Sequence, residues 1–169
     1  SSAASDVYKR QKKMGVPFLP YETYGRSPLE NSSFLVSSAN FNEKIHGKGF
    51  VARLSGSTAE FLQMWELMMN GEKLFTMQDG TLTFKLAPAI PAYLVKDDGK
   101  VETTLFGKIK VVYDCGSKRD LIPGQYAVTK YELVAADGSI ESCEAATVSG
   151  EAAQRIRDGK VAEIRVTIQ

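Results

Sequence analysis

The chain has 169 residues, of which 43% are hydrophobic and 24% charged, a composition typical of globular proteins and a length that suits one domain, or a small domain with the end of another. Its 21 lysines and arginines against 20 acidic residues give a net charge of +1, so nothing attracts it in bulk to nucleic acids or anionic membranes. No apolar run approaches the roughly 18 residues that a membrane span requires.

The first segment, residues 1–11, has neither apolar periodicity nor the core of a signal peptide. Its part from Asp6 to Gln11 resembles the translation of a transposon end used as a sequencing adapter. We therefore expect a processing scar here and leave these residues out of the fold. The natural protein is then expected to begin upstream; a disordered native tail is the alternative.

Residues 12–30 are predicted to form a long ordered loop because three prolines interrupt any helix: Pro17, Pro20 and Pro28. Three side chains in this loop are candidate sugar contacts: Tyr21, Tyr24 and Arg26. Packing of the loop against its own domain explains them equally well. Residues 31–40 predict a loop or a short strand.

The polar segment 46–60 precedes an apolar stretch. Ser57, with Glu60 three residues later, matches a capping box and predicts a helix over about 59–70 that Gly71 ends. The N–H groups at the start of a helix are unpaired and lie at the positive end of its dipole, so this turn is a candidate site for phosphate or carboxylate. Side chains near this turn in the sequence are Ser55, Ser57, Thr58, Lys48 and Arg53.

Other chemistries fit this segment poorly. It lacks the Gly-Lys-Ser/Thr ending of a nucleotide-binding P-loop and the Gly-x-Ser-x-Gly turn of serine hydrolases. His46, the one histidine, either donates to a bound anion or makes a structural hydrogen bond. Arg53 either binds an oxyanion in bidentate fashion or pairs with Glu60 or Glu66.

The predicted helix is apolar on more than one stripe, which predicts burial on most sides. Its apolar residues are Phe61, Leu62, Met64, Trp65, Leu67, Met68 and Met69. We interpret it as a lining helix of a larger helical assembly, with Trp65 in the core rather than serving as a sugar platform. A central helix in a small α+β domain is the alternative.

After Gly71 the pattern changes to the alternation of β-strands. Strands are predicted over 81–86, 101–106, 108–113, 126–134, 139–143 and 160–168. Asp98–Gly99 and Asp137–Gly138 are predicted hairpin tips, and Gly107 a bulge or turn. With a short helix over Glu151–Arg157, this predicts an antiparallel β-sandwich or jelly roll.

The two cysteines, Cys115 and Cys143, lie in strand-like contexts with neither metal-ligand spacing nor a redox pair. We expect reduced structural thiols and no metal site. Because reduced thiols are typical of the cytosol, this favours a cytoplasmic protein.

A chain of motifs resembles the carboxy-terminal region of family 94 glycoside phosphorylases, which include cellobiose, chitobiose and 1,2-β-oligoglucan phosphorylases. The similarity runs from about residue 31 to 113. It consists of Ser-Gly-Ser-Thr-Ala-Glu-Phe at 55–61, the Met-rich helix with Trp65, the Leu-x-Phe-x-Leu-x-Pro-Ala-Ile-Pro run at 82–91, and Phe-Gly-Lys-Ile-Lys-Val-Val-Tyr at 106–113.

The resemblance implies an α+β fragment. Residues 12–75 would be the end of an (α/α)₆ barrel, with one buried helix plus loops, and 76–169 the β-sandwich or jelly-roll-like domain that follows it. In that family a Thr-Gly pair before the helix binds phosphate. The matching positions are Ser55 and Gly56, followed by Ser57 and Thr58, a departure that leaves open which hydroxyl contacts phosphate. His46 and Arg53 are candidates for the family's phosphate-binding His and Arg by proximity alone.

The implied activity is reversible, inverting phosphorolysis of β-glucosides to α-glucose 1-phosphate. Inorganic phosphate is the co-substrate, no other cofactor is expected, and the partner is a β-glucan oligosaccharide or disaccharide. We assign no catalytic residue here, because the general-acid aspartate is expected upstream, which would leave the fragment inactive alone. Homodimerisation of the parent stays open. The alternative is a non-catalytic carbohydrate-binding or assembly β-sandwich, which an exposed aromatic strip on a sheet face would favour.

Overall fold

The computed structural model describes residues 19–25, 36–49 and 55–169. Contacts divide the chain into two compact units, one that ends at Glu66 and one that runs over Leu67–Gln169. The described α-helices are α1 (Tyr21–Tyr24), α2 (Ser55–Asn70) and α3 (Glu151–Arg157). Residues 1–11, the expected processing scar, lie outside the described part. None of the described helices combines the length and apolarity that crossing a bilayer demands.

In the first unit, α1 is a single turn where the sequence predicts an irregular loop. It follows Pro20, whose carbonyl accepts a hydrogen bond from the Thr23 N–H at 2.9 Å. Proline is compatible with the start of a helix because its fixed φ suits the first turn. Gly25, at a φ of 80°, follows the turn, so the chain stops being helical there.

Residues 36–49 fold back on themselves. A 3₁₀ turn over Glu43–Ile45 is capped by the Asn42 side chain, which accepts from the Lys44 N–H at 3.2 Å. Val36 donates its N–H to the Lys48 carbonyl at 3.0 Å and accepts from the Gly47 N–H at 2.9 Å. The described part of the segment predicted as a loop or strand, residues 36–40, contains no strand.

Helix α2 ends at Asn70 as predicted, and Gly71 follows it in the left-handed region with a φ of 93°. It begins at Ser55, four residues earlier than the predicted start. Ser57 therefore lies within the helix, and the capping-box prediction is wrong. The Ser-Gly-Ser-Thr run has the composition of a cap, but four more helical residues extend the backbone hydrogen-bond ladder by one turn.

The expected burial of α2 on most sides is also wrong for the described side chains. Leu62 is 61% exposed and Leu67 is 42% exposed, whereas Met69 and Asn70 in the last turn are buried. Trp65 is half-buried. The pattern of apolar residues shows which side chains favour burial, but the sequence of one helix does not determine which element packs against them.

The strands of the second unit form two sheets. Its strands are β1 (Phe75–Gln78), β2 (Thr81–Phe84), β3 (Lys100–Leu105), β4 (Ile109–Asp114), β5 (Val128–Val134), β6 (Ile140–Cys143), β7 (Val148–Ser149) and β8 (Glu163–Ile168). All six predicted strands are present with slightly different ends, while β1 and β7 were not predicted.

The smaller sheet has the order β1-β2-β7 and is antiparallel. The larger sheet has the order β3-β4-β8-β5-β6. Its β4 and β8 are parallel, so the predicted all-antiparallel arrangement is wrong for this pair. A parallel pair needs a crossover between its strands, and the chain returns to the sheet at β8 directly after α3.

The two sheets share an apolar core. Phe84 of β2 packs edge-on against Tyr131 of β5, with ring centroids 6.1 Å apart. The largest fully buried side chains are Tyr113, Tyr131, Phe84, Met69, Leu86, Ile90, Leu105, Ile109, Leu121, Ile156 and Ile164. The chain is thus a mixed α+β protein dominated by strands, an arrangement consistent with a β-sandwich.

Two of the three predicted turns join neighbouring strands of the larger sheet, and one does not. Asp137–Gly138 joins β5 to β6 as predicted, and Phe106–Gly107 turns the chain between β3 and β4. Asp98–Gly99 is not a hairpin tip, because it follows a 3₁₀ turn over Ala92–Leu94 rather than a strand. Its Asp98 side chain accepts from the Lys100 N–H at 3.0 Å and so fixes the entry into β3.

Candidate phosphate site and the anchoring of its helix

The candidate phosphate-binding residues Ser55, Gly56, Ser57 and Thr58 form the first turn of α2. The first four N–H groups of any helix have no partner within it, and they carry the positive end of the dipole. This first turn contains no acidic residue. It therefore offers backbone donors to an anion without a carboxylate of its own that repels one. The side chains of these four residues lie outside what the structure describes.

His46 is half-buried and makes a local hydrogen bond. Its Nε2 lies 2.7 Å from the carbonyl oxygen of Asn40. A carbonyl only accepts, so Nε2 carries the proton in this contact. With Nε2 bonded to this carbonyl, Nδ1 is the ring nitrogen that is left for another contact. This hydrogen bond is of the structural kind that the sequence analysis considered for His46.

The turn α1 and the loop that carries His46 lie beside each other. A methyl group placed on Gly25 would lie 3.5 Å from Cδ of Lys48, which is ordinary contact distance. The backbones of Tyr21 and Tyr24, two candidate sugar contacts, therefore belong to a turn that ends next to the Lys48 side chain. Their side chains, and the whole of Arg26 and Arg53, lie outside the described residues.

The carboxyl end of α2 is closed by four hydrogen bonds. The last four carbonyls of a helix have no partner within it, and here each accepts from a different donor. The Gly71 N–H bonds Leu67 at 2.9 Å, the Ala89 N–H bonds Met68 at 2.7 Å, the Tyr113 hydroxyl bonds Met69 at 2.7 Å, and the Ala87 N–H bonds Asn70 at 3.0 Å.

The segment between β2 and the 3₁₀ turn, residues 85–91, runs along this end of the helix and is held by two further phenols. Tyr131 accepts from the Leu86 N–H at 3.0 Å, and Tyr126 donates to the Pro88 carbonyl at 2.6 Å. The Leu121 N–H donates to the Ile90 carbonyl at 2.8 Å. The helix end and this segment are therefore tied to β4, β5 and the loop between them.

Burial keeps these phenols protonated. It raises the pKa of Tyr131 to about 12, and it raises the pKa values of Tyr113 and Tyr126 as well. The same cause, desolvation, raises the pKa of the Cys115 thiol to about 11. At neutral pH these groups stay uncharged, so they serve as hydrogen-bonding and packing groups rather than as acids or nucleophiles.

Sequence reasoning did not identify the three tyrosines. Tyr113 and Tyr131 occupy inward positions of alternating strands, where a phenol looks like any other apolar residue. One general rule points to their role: a buried hydroxyl needs a hydrogen-bond partner. The rule does not say that the partner would be a helix carbonyl 44 residues away, as it is for Tyr113.

Within the described residues, no cluster of three or more His, Cys, Asp or Glu side chains has the arrangement of a metal site. Comparison with protein families, curated proteins and solved structures finds no match for this chain. The functional argument accordingly depends on the residues themselves.

Proposed function

We propose that the chain is the carboxy-terminal part of an inverting glycoside phosphorylase, in which the first turn of α2 holds inorganic phosphate. The observation that carries this proposal is the position of Ser55, Gly56, Ser57 and Thr58 in that turn. Three hydroxyl-bearing residues combine there with the helix N–H groups that have no partner within the helix. The proposal further takes α2 as one of the last helices of an (α/α)₆ barrel, followed by a jelly-roll-like domain.

Phosphorolysis requires an enzyme to hold phosphate firmly while it attacks the anomeric carbon. In the inverting reaction, phosphate replaces the water of a hydrolase, and a general acid protonates the departing glycosidic oxygen. The new C–O bond forms on the face opposite to the bond that breaks. Helix N–H donors and hydroxyls stabilise the phosphate charge without a metal.

The anchoring of the other end of α2 suits this role. A phosphate site must hold its donors in fixed positions, because small displacements of reacting groups cost rate. The four hydrogen bonds at the carboxyl end fix the axial position and rotation of residues 67–70 within the second unit, Leu67–Gln169, which we call the β-unit.

Nuclear magnetic resonance tests phosphate binding in the 169-residue chain directly. Titration with inorganic phosphate is expected to shift the amide resonances of residues 55–58 and to leave those of the β-unit unchanged. Thr58→Ala and Ser55→Ala are expected to weaken binding about tenfold, the effect of losing one hydrogen bond to a charged group. Thr81→Ala, which removes an exposed strand hydroxyl, is the matched control. Shifts spread over the surface instead of this turn would contradict the assignment.

The full reaction is tested in the parent protein obtained from the upstream reading frame. Release of phosphate from α-glucose 1-phosphate, with glucose or short β-glucans as acceptor, is the expected result. There, Ser55→Ala and Thr58→Ala should raise the KM for phosphate much more than the KM for the sugar. A folded parent that releases no phosphate with any acceptor would contradict the phosphorylase proposal.

A non-catalytic carbohydrate-binding β-sandwich is the alternative proposal. Such a module would be expected to present aromatic rings along a sheet face. In the described strands, the outer face of the larger sheet instead carries ion-paired side chains, among them Lys110 with Glu102 at 3.5 Å and Lys130 with Glu132 at 2.8 Å. This observation speaks against an aromatic sugar-binding strip on that face.

A further inference from the structure

The edge strand β1 differs from both edge strands of the larger sheet. Unpaired N–H and C=O groups on an edge attract other strands, and proteins usually place charges there to prevent it. In the larger sheet, edge strand β3 carries Glu102, paired with Lys96 at 3.1 Å, and edge strand β6 carries Glu141, paired with Arg155. Strand β1 has the sequence Phe-Thr-Met-Gln, with neither charge nor proline.

An apolar patch lies along this edge. Met77 is 63% exposed and Phe106 is 48% exposed. Phe106 stacks on Phe75 with centroids 6.2 Å apart and an interplanar angle of 17°. Phe106 has a φ of 53°, in the left-handed region that a bulky residue rarely adopts. A ring on a strained turn thus stands over a strand edge where it is half-exposed to water.

The outward backbone groups of β1 belong to the residues of this patch. The Lys85 N–H donates to the Leu74 carbonyl at 2.9 Å, and antiparallel pairing alternates, so Thr76 and Gln78 also bond to β2. Phe75 and Met77 therefore direct their N–H and C=O groups away from the sheet. Their side chains share the face on which Phe75 packs against Phe84.

The sequence around β1 is complementary to itself. If two copies pair antiparallel about a twofold axis at Thr76, Phe75 lies opposite Met77 of the partner subunit. In the same register Lys73 lies opposite Asp79 of the partner subunit, and each contact occurs twice. Both flanking charges are exposed. We propose that β1 is a homodimer interface that joins two three-stranded sheets edge to edge, with a second copy of this chain as the occupant.

The interface would bury the apolar patch and satisfy the outward backbone groups in one step. A closed, isologous contact of this type uses the edge once and does not propagate into fibres. Because β1 has only four residues, the contact is small, and we expect a dimer that dissociates on dilution. The proposal does not depend on the catalytic function.

Sedimentation equilibrium of the 169-residue chain tests this proposal. The expected result is a monomer–dimer equilibrium that Met77→Lys weakens at least tenfold, because two lysines would face phenylalanine rings. Gln78→Lys adds the same charge at the next residue but on the opposite face, and it is expected to change the dissociation constant less than twofold. A chain that is monomeric at every soluble concentration, or a Met77→Lys variant that dimerises like the wild type, would overturn the proposal.

Two further variants test the register. Lys73→Glu should weaken dimerisation because two acidic side chains would then face each other. Adding Asp79→Asn should restore part of the affinity. Asparagine is compatible with the turn at Asp79–Gly80, where both φ angles are positive. In a Cys143→Ser background, Thr76→Cys should form an intermolecular disulfide under oxidation because the two copies of this residue face each other. Gln78→Cys should not. Equal crosslinking of both variants would exclude this register.

Discussion

At the carboxyl end of α2, each of the last four carbonyl oxygens accepts a hydrogen bond, whereas the first turn, made of serine, glycine and threonine residues, is the proposed phosphate site. The carboxyl end is bonded by donors from three places: Gly71, the segment 85–91 and Tyr113. The comparison teaches that, in the proposed function, the same helix is structural at its carboxyl end and binds phosphate at its amino end.

The largest effect is expected from Gly71→Ala. Gly71 has a φ of 93°, and an added Cβ would lie 3.0 Å from both the Cβ and the carbonyl oxygen of Ala87. Conformational strain and this collision together should cost about 3 kcal/mol of unfolding free energy, measured by urea denaturation.

Gly138→Ala is the matched control for this substitution. Gly138 has a similar φ of 85°, but nothing lies within 4 Å of the position of its added Cβ. We expect the conformational cost alone, about 1 kcal/mol. Equal losses in the two variants would show that the packing of Gly71 against Ala87 adds nothing to the closed end of α2.

Tyr113→Phe should have the next largest effect. The substitution keeps the ring and removes the donor to the Met69 carbonyl, so a buried acceptor loses its partner. The expected cost is about 2 kcal/mol of unfolding free energy. Tyr93→Phe, at a tyrosine that is 38% exposed, should cost less than about 0.5 kcal/mol. A Tyr113→Phe variant as stable as the wild type would mean that this end of α2 is held by its other three bonds.

The smallest expected effect is a loss of stability in mild alkali. Burial raises the pKa of Cys115 from an ordinary 9.0 to about 11, and that of Tyr131 from 10.0 to about 12. The unfolded chain therefore releases these protons first, and the stabilisation, complete below pH 9, decreases as the pH rises toward 12. Between pH 7 and 9.5 we expect a loss of about 1 kcal/mol, measured by urea denaturation at each pH. Stability that increases over this range would contradict the sign.

Local sequence signals predicted the elements that local chemistry determines. Helix α3 has its predicted bounds because Gly150 precedes it and Asp158–Gly159 follows it. The β5–β6 hairpin follows from Asp137–Gly138, where the Asp137 carboxylate accepts from the N–H of Ser139 at 2.9 Å. In both cases the residues that set the structure lie within a few positions of each other.

Features set by distant residues were not predictable in the same way. Strand β1 is short and its Met and Gln are not typical of strands, so its pairing with β2 decides its conformation. The parallel pairing of β4 with β8 depends on how α3 crosses over. In the candidate site, the sequence left two roles open for His46, and its hydrogen bond to the Asn40 carbonyl depends on the fold of residues 36–49.

The position of β8 in the larger sheet has a consequence for biosynthesis. This strand, which follows β3 to β6 along the sequence, lies in the centre of the sheet, between β4 and β5. On the ribosome, β3 with β4 and β5 with β6 can each form a hairpin early, but neither hairpin can join the other until β8 has left the exit tunnel. The sheet is therefore expected to assemble late and in one concerted step, with long-range contacts that make its folding slow. Until then, the edges of β4 and β5 that pair with this six-residue strand have no partner in the sheet.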